Sequence, residues 1–104
     1  MITKGTFWSG MFADPRGHSE STPMVLEIKE SDGKTFSGTN TYRKNRLKIK
    51  GSIEDTNVYF VEYEVLGGKA LIPNIYQGHL VEDSISGIAI HGDLQATFYI
   101  EQQK

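Results

Sequence analysis

Cysteine is absent from this chain of 104 residues, which excludes disulfide bonds, thiolate metal ligands and a cysteine nucleophile. Tryptophan and proline are scarce, with one tryptophan and three prolines. No apolar run is long enough to span a bilayer, and patterned sequence begins directly after MITKGTFW, so we expect a cytoplasmic protein. The net charge of −2 gives no general reason to expect a nucleic acid or a membrane surface as a partner.

Helical periodicity is missing as well, because no window of about ten residues keeps its apolar residues three and four apart. Alternation at every second residue recurs instead. The alternating segments include VLEIKE (25–30), RLKIKGSI (46–53) and VYFVEYEVL (58–66). In the last of these we place Tyr59 and Tyr63 on the inner face and Glu62 on the outer face. This pattern is typical of half-buried β-strands.

Turn residues divide the chain into short segments, with Asp32-Gly33 as the strongest hairpin signal because glycine readily adopts positive φ. The predicted strands span 4–12, 23–31, 34–42, 46–54, 57–66, 70–81, 84–91 and 94–101. Pro73 predicts an edge, a bulge or a late start in the sixth strand. Short links favour an antiparallel meander, and closure would remove its exposed edges. We therefore predict a single all-β domain over residues 1–104, an eight-stranded antiparallel up-and-down barrel, with an open sheet or a sandwich as alternatives.

A large apolar residue stands two positions before a glycine on four of the predicted strands. The motifs are Phe36-Ser37-Gly38, Ile49-Lys50-Gly51, Tyr76-Gln77-Gly78 and Ile85-Ser86-Gly87. Both residues of each pair face the same side of the sheet, and large-then-small alternation suits a tightly coiled barrel.

The order of these motifs resembles the calycin group, and most closely its avidin-type branch. The similar segments are GTFW (5–8), DGKTFSGTN (32–40), IKGSI (49–53), IYQGHL (75–80), ISGIAI (85–90) and GDLQATFYI (92–100). The resemblance implies a barrel and a homo-oligomer. It argues against biotin as the ligand, because avidin-type sites are lined by several tryptophans and this chain has only Trp8. Tyr76 and Ala89 stand where ring-forming aromatics are expected, and Asn40 where a ligand-binding tyrosine is expected.

The inner face of this barrel is expected to be mostly aromatic and aliphatic. Its predicted members are Phe36, Asn40, Tyr42, Leu47, Ile49, Ile53, Tyr59, Tyr63, Tyr76, Leu80, Ile85, Ala89 and Phe98. An interior of this size is either filled by side chains or holds one small ligand. We place Trp8 inward, as a plug near the closed end that shares its face with Gly10 and Phe12, and Phe7 outward.

The residues chosen as ligand-binding are Trp8, Asn40, Tyr42 and Tyr76. The long connection over 12–23, with Asp14, Arg16 and His18, is interpreted as a lid over the open end.

Outward apolar residues on the later strands predict an interface between copies of the chain. The residues chosen are Phe60, Ile88, Ile90 and Tyr99. The alternative is a phase shifted by one residue, which would place them in the core.

Nucleic-acid binding, metal binding and catalysis would each depend on specific residues. The basic segment 43–50 beside Tyr42 could grip a single-stranded nucleic acid, or it is a solvated hairpin that balances nearby acidic residues. The three histidines show no metal-ligand spacing. The Ser, His and Asp residues of the long connection are crowded on one segment without an oxyanion hole. We therefore expect no catalytic residue, no metal and no cofactor.

The function that the sequence favours is non-enzymatic binding of a small, partly apolar ligand at the barrel mouth, beneath the 12–23 connection. One alternative is a filled barrel that recognises another protein through its loops or outer strands. The second alternative is nucleic-acid binding through the 43–50 hairpin.

Overall fold

Eight β-strands make up most of the chain in a computed structural model, which describes residues 2–13, 21–70 and 72–104. The strands are β1 (Phe7–Ala13), β2 (Thr22–Ser31), β3 (Thr35–Tyr42), β4 (Asn45–Glu54), β5 (Asn57–Gly67), β6 (Asn74–Val81), β7 (Ser84–His91) and β8 (Leu94–Gln102). The described ranges contain no helix long and apolar enough to cross a membrane. The predicted strands are recovered, with β6 beginning directly after Pro73, which marks a late strand start.

The strands form one closed antiparallel barrel in the order of the chain, and β1 closes it by pairing with β8. The predicted all-β meander barrel is therefore confirmed. Local chemistry sets its turns: the Asp32 carboxylate accepts hydrogen bonds from the backbone N–H groups of Lys34 (2.8 Å) and Thr35 (2.7 Å). Gly33 adopts a φ of 91° in the same turn, a conformation that costs glycine little.

The barrel core consists of large side chains from all of the strands. Its buried members are Ile2, Trp8, Met24, Leu26, Ile28, Phe36, Ile49, Val58, Phe60, Tyr76, Ile85, Phe98 and Ile100. Trp8 is fully buried while Phe7 is 45% exposed, so the predicted orientation of the first strand is confirmed. The indole N–H of Trp8 donates to Thr6 Oγ1 at 3.2 Å, at the end of the barrel where the N-terminal segment packs.

The inward and outward faces of β5 are the reverse of the prediction over its first half. Val58 and Phe60 are buried, whereas Tyr59 and Tyr63 are 41% and 39% exposed. The register explains this, because Phe60 lies opposite Gly51 in the β4–β5 ladder and cross-strand partners share a face. The space left by the missing side chain of Gly51 is used by the Phe36 ring and the Phe60 Cβ, since a Cβ added at Gly51 would lie 2.6 Å from Phe36 Cζ and 2.7 Å from Phe60 Cβ. The outward placement of Phe60 in an interface is therefore wrong.

A β-bulge on β5 reverses which alternate residues of the strand point into the barrel. Ile49 pairs with Glu62 and the preceding Lys48 pairs with Glu64, so Tyr63 is the extra residue. Glu62 consequently points into the barrel and is fully buried, while Glu64 points outward and lies 3.7 Å from the Lys48 ammonium. The prediction that Glu62 lies on the outer face is wrong.

Close approach between neighbouring strands makes some glycines indispensable. A Cβ added at Gly38 would lie 1.9 Å from the carbonyl oxygen of Glu27, whereas one added at Gly67 meets nothing within 4 Å. Backbone atoms cannot yield as a flexible side chain would, so strands β2 and β3 would have to separate.

We expect Gly38→Ala to destabilise the protein by about 3 kcal/mol or more, because the new methyl group overpacks a rigid site. The matched variant Gly67→Ala should change the free energy of unfolding by less than about 1 kcal/mol. Urea unfolding followed by circular dichroism measures both. Equal effects of the two substitutions would contradict this account of the close approach.

Candidate ligand-binding site

A cavity of about 290 Å³ opens at the end of the barrel where β1, β3, β5 and β7 end and β2, β4, β6 and β8 begin. We call it the mouth cavity. Its lining residues are Phe12, Thr22, Tyr42, Arg43, Asn45, Asn74, Tyr76, Ala89, Ile90, His91, Leu94, Gln95 and Ala96. Aromatic and aliphatic side chains thus alternate with amides and hydroxyls, and Arg43 is a cationic member of the lining.

Behind the floor of the mouth cavity lies the carboxylate of Glu62. Its Oε2 accepts hydrogen bonds from Asn40 Nδ2 (2.7 Å) and the Tyr76 hydroxyl (3.2 Å). Its Oε1 accepts from Asn74 Nδ2 (2.7 Å) and, over a longer 3.4 Å, from the Tyr42 hydroxyl. We call these five residues the Glu62 network. Tyr42, Asn74 and Tyr76 also line the cavity, so the network connects its floor to the buried carboxylate.

Packing and strand register hold the network in place. Asn74 lies directly opposite Glu62, and Tyr76 lies opposite Phe60, in the β5–β6 ladder. The rings of Phe60 and Tyr76 stack with centroids 4.5 Å apart and an angle of 7° between their planes. On the opposite wall, Phe12 meets Tyr42 edge-on at 5.3 Å. Both tyrosine rings are therefore fixed by aromatic neighbours, which aim their hydroxyls at Glu62.

Burial and hydrogen bonding act in opposite directions on Glu62. Burial raises the pKa of its carboxyl, and the four donors, Asn74 foremost, oppose that rise. The two N–H···O distances of 2.7 Å are typical of bonds to an ionised acceptor. Burial, together with the negative charge of Glu62, raises the pKa of Tyr42 and of Tyr76, so both hydroxyls keep their protons at neutral pH.

The polar atoms around the network are unevenly satisfied. Within the described residues, no cationic side chain forms an ion pair with Glu62, and Asn40 Oδ1 is a buried acceptor without a hydrogen-bond partner. The orientation of the Asn40 amide follows from chemistry, since a carboxylate only accepts and the amide nitrogen must face it. At the rim, Arg43 Nη2 donates to Thr22 Oγ1 at 3.2 Å.

The structure brings some of the predicted ligand-binding residues together. Tyr42 and Tyr76 line the mouth cavity, and Asn40 lies behind them in the Glu62 network. Trp8 lies at the other end of the barrel and contributes nothing to the cavity wall. The predicted lid residues Asp14, Arg16 and His18 lie outside the described residues.

Sequence reasoning missed Glu62 and Asn74. A signal for Glu62 was present, because the tight turn at Asp55-Thr56 sets Ile53 opposite Val58 and so fixes the phase of β5. Asn74 follows Pro73 at the first position of β6, where no alternation yet shows which way a side chain points.

The residues predicted to form an interface between copies of the chain differ in their exposure. Ile88 and Ile90 are half-buried, Ile90 lines the mouth cavity, and Tyr99 is 47% exposed. Tyr99 lies opposite the exposed Met11 in the β1–β8 ladder, so apolar surface is present on that face as well. Self-association through Ile88, Ile90 and Tyr99 stays a prediction.

The other candidate sites are the basic hairpin and a metal site. Lys50 of the basic hairpin lies over the exposed ring of Tyr63 at 4.9 Å, and Lys48 faces Glu64, so neighbouring side chains engage these two cations. Among the described residues, no group of three or more His, Asp or Glu side chains could hold a metal ion.

Fold and site together define a closed eight-stranded antiparallel meander barrel with a partly apolar cavity at one end, which is compatible with a calycin-like fold. Comparison with known proteins adds no family: no family model, no curated protein and no solved structure matches this chain.

The raised pKa of Glu62 predicts a definite dependence of stability on pH. The folded chain holds this proton more tightly than the unfolded chain, so the contribution to stability is complete below the ordinary glutamate pKa and is lost as the pH rises through the folded value. We expect the stability of the wild type relative to Glu62→Gln to fall over that window, by at most about 1.4 kcal/mol per pH unit.

Urea unfolding of both proteins between about pH 4 and pH 8 measures this difference. The other titratable groups around the network and the cavity, Tyr42, Tyr76, Arg43 and His91, are common to both proteins, so the difference isolates Glu62. A relative stability that is flat or rises with pH would contradict the assignment. The control is Glu64→Gln, which removes the exposed carboxylate two residues away. The stability of the wild type relative to this variant should not fall over the same pH range.

Proposed function

We propose that this protein is a non-enzymatic barrel that binds a small, partly apolar molecule in the mouth cavity. The observation that carries the proposal is the cavity itself, about 290 Å³ of space walled by aromatic, aliphatic and polar side chains. Small-molecule sites are concave and mostly apolar, with a few fixed polar groups that orient the ligand. The volume lies at the lower end of the usual range, which favours a ligand of roughly ten non-hydrogen atoms.

The distribution of packing within the barrel supports a ligand at this end. Trp8, Ile28 and Phe36 fill the half of the barrel away from the mouth and are buried to 96% or more. Towards the mouth the wall formed by β7 and β8 includes smaller residues, with Ala89 opposite Ala96. The interior is thus packed at one end and open at the other, which favours a ligand cavity over a barrel filled throughout.

The resemblance to avidin-type barrels supports a ligand site at the open end of the barrel. It does not support the same ligand. The mouth cavity is lined by Phe12, Tyr42 and Tyr76 rather than by tryptophans, and Trp8 packs at the far end. We therefore propose a ligand other than biotin.

Nucleic-acid binding and protein recognition remain alternatives with less support. The contacts of Lys48 and Lys50 with neighbouring side chains leave less of the basic hairpin available to a phosphate backbone. The filled-barrel alternative, in which loops or outer strands recognise another protein, predicts no open cavity at the mouth.

Binding of benzyl alcohol tests the proposal, because this probe is small, partly apolar and uncharged. We expect saturable shifts of backbone amide signals in ¹H–¹⁵N spectra, centred on residues of the mouth cavity, with a Kd of about 1 mM for so small a ligand. Ala89→Leu fills the cavity and should weaken binding at least tenfold, about 1.4 kcal/mol.

Ser86→Leu is the matched control, since Ser86 is exposed on the outer face of the same strand. It should leave benzyl alcohol binding within about twofold of the wild type, a difference well below 1 kcal/mol. Shifts centred on the outer strands, or equal binding by Ala89→Leu and wild type, would overturn the proposed site.

A further inference from the structure

We infer that the ligand of the mouth cavity is a small organic cation, an amine or amidine on an apolar body, whose N–H groups bind the tyrosine hydroxyls at the cavity floor. The inference rests on the proposed function and names the chemical class of its ligand. It follows from counting the hydrogen-bond donors and the charges of the Glu62 network.

The hydrogen-bond donors at the cavity floor are directed at Glu62. An ionised carboxylate has no hydrogen to give, so each of its four partners must donate to it: the amides of Asn40 and Asn74 and the hydroxyls of Tyr42 and Tyr76. Each hydroxyl has a single hydrogen, and in both tyrosines that hydrogen is directed at Glu62. Each tyrosine oxygen also accepts a longer hydrogen bond of 3.4 Å from an amide nitrogen, Tyr76 from Asn40 Nδ2 and Tyr42 from Asn74 Nδ2. The tyrosine oxygens therefore meet a ligand only as acceptors.

The network contains a further hydrogen-bond acceptor. Asn40 Oδ1 is buried and has no hydrogen-bond partner among the described residues. Because Asn40 lies behind the cavity lining, this acceptor adds to the polarity of the network, and the tyrosine oxygens are the acceptors that a ligand can meet. A ligand that binds the tyrosine oxygens must supply hydrogen-bond donors. A ligand with only acceptors could form no hydrogen bond there.

The charge of the network favours a cation in particular. Glu62 is fully buried, and no cationic side chain among the described residues pairs with it. Arg43 lies at the rim, is exposed to solvent and donates to the hydroxyl of Thr22, so its charge is better screened by water than that of Glu62. A bound cation would partly neutralise the buried carboxylate where the effective dielectric constant is low.

The cavity walls suit such a ligand as well. Phe12, Tyr42 and Tyr76 present aromatic rings to the cavity, and aromatic faces attract cations when the site is desolvated. Ala89, Leu94 and Ala96 provide apolar surface for the rest of the molecule.

Three probes of similar size and different charge test the inference: benzylammonium, benzyl alcohol and benzoate. Each is titrated at about pH 7 into the full chain and followed by ¹H–¹⁵N spectra. We expect benzylammonium to bind at least tenfold more tightly than benzoate, about 1.4 kcal/mol, with benzyl alcohol in between. In Glu62→Gln this preference should fall to about threefold or less, while benzyl alcohol still binds.

Glu64→Gln is the matched control for charge, because its carboxylate is on the same strand but faces solvent, and it should keep the preference. Tyr42→Phe removes one floor acceptor and keeps the ring that contacts Phe12. It should weaken benzylammonium more than benzyl alcohol, and it tests the inference even if Glu62→Gln does not fold.

The outcomes separate the inference from the proposed function. Benzoate binding as tightly as benzylammonium, or more tightly, would overturn the cationic ligand class and assign the anchor to Arg43, while leaving the cavity as a binding site. A preference for benzylammonium that survives in both Glu62→Gln and Tyr42→Phe would overturn the role of the network. Failure of all three probes to bind would overturn the proposed function and this inference together.

Discussion

A carboxylate inside a protein must be met by hydrogen-bond donors, because a charge removed from water costs several kcal/mol when it is left unpaired. Glu62 imposes this requirement on the mouth of the barrel. Tyr42, Asn74 and Tyr76 reach it from two other strands and complete the cavity floor while doing so. The same contacts that make the buried charge tolerable also fix which polar atoms a ligand can meet.

Two local features of the backbone place the carboxylate there. The short turn between β4 and β5 sets Gly51 opposite Phe60, which brings the even-numbered residues of β5 into the barrel. The bulge at Tyr63 then ends that phase, so Glu62 points inward and Glu64 outward within one strand. Bulges commonly redirect side chains beside functional sites. The stacked rings of Phe60 and Tyr76 complete the arrangement by holding one donor of Glu62 rigidly.

The fold could be predicted from the sequence because its signals are local. Period-two alternation, the Asp32-Gly33 turn and the late strand start at Pro73 each act within a few residues, and the barrel follows once consecutive strands pair. The site depended on a longer-range fact, the phase of β5. Tyr59 and Tyr63 have large, mostly apolar rings, and either they or Val58 and Phe60 could form the inner face, so composition alone does not distinguish the two faces. The assumption that Glu62 is solvated then favoured the wrong one, and Asn74, at the start of β6, carried no periodic signal.

The central claim is that Glu62 is ionised inside the barrel and draws the hydrogens of both tyrosine hydroxyls towards itself. Neutron crystallography of the deuterated protein at about pH 8 measures this directly, because it locates the deuterium atoms. The account predicts a Glu62 carboxylate without deuterium, and deuterium on the Tyr42 and Tyr76 oxygens directed at it. Deuterium on Glu62, with a tyrosine hydroxyl turned into the mouth cavity, would contradict it.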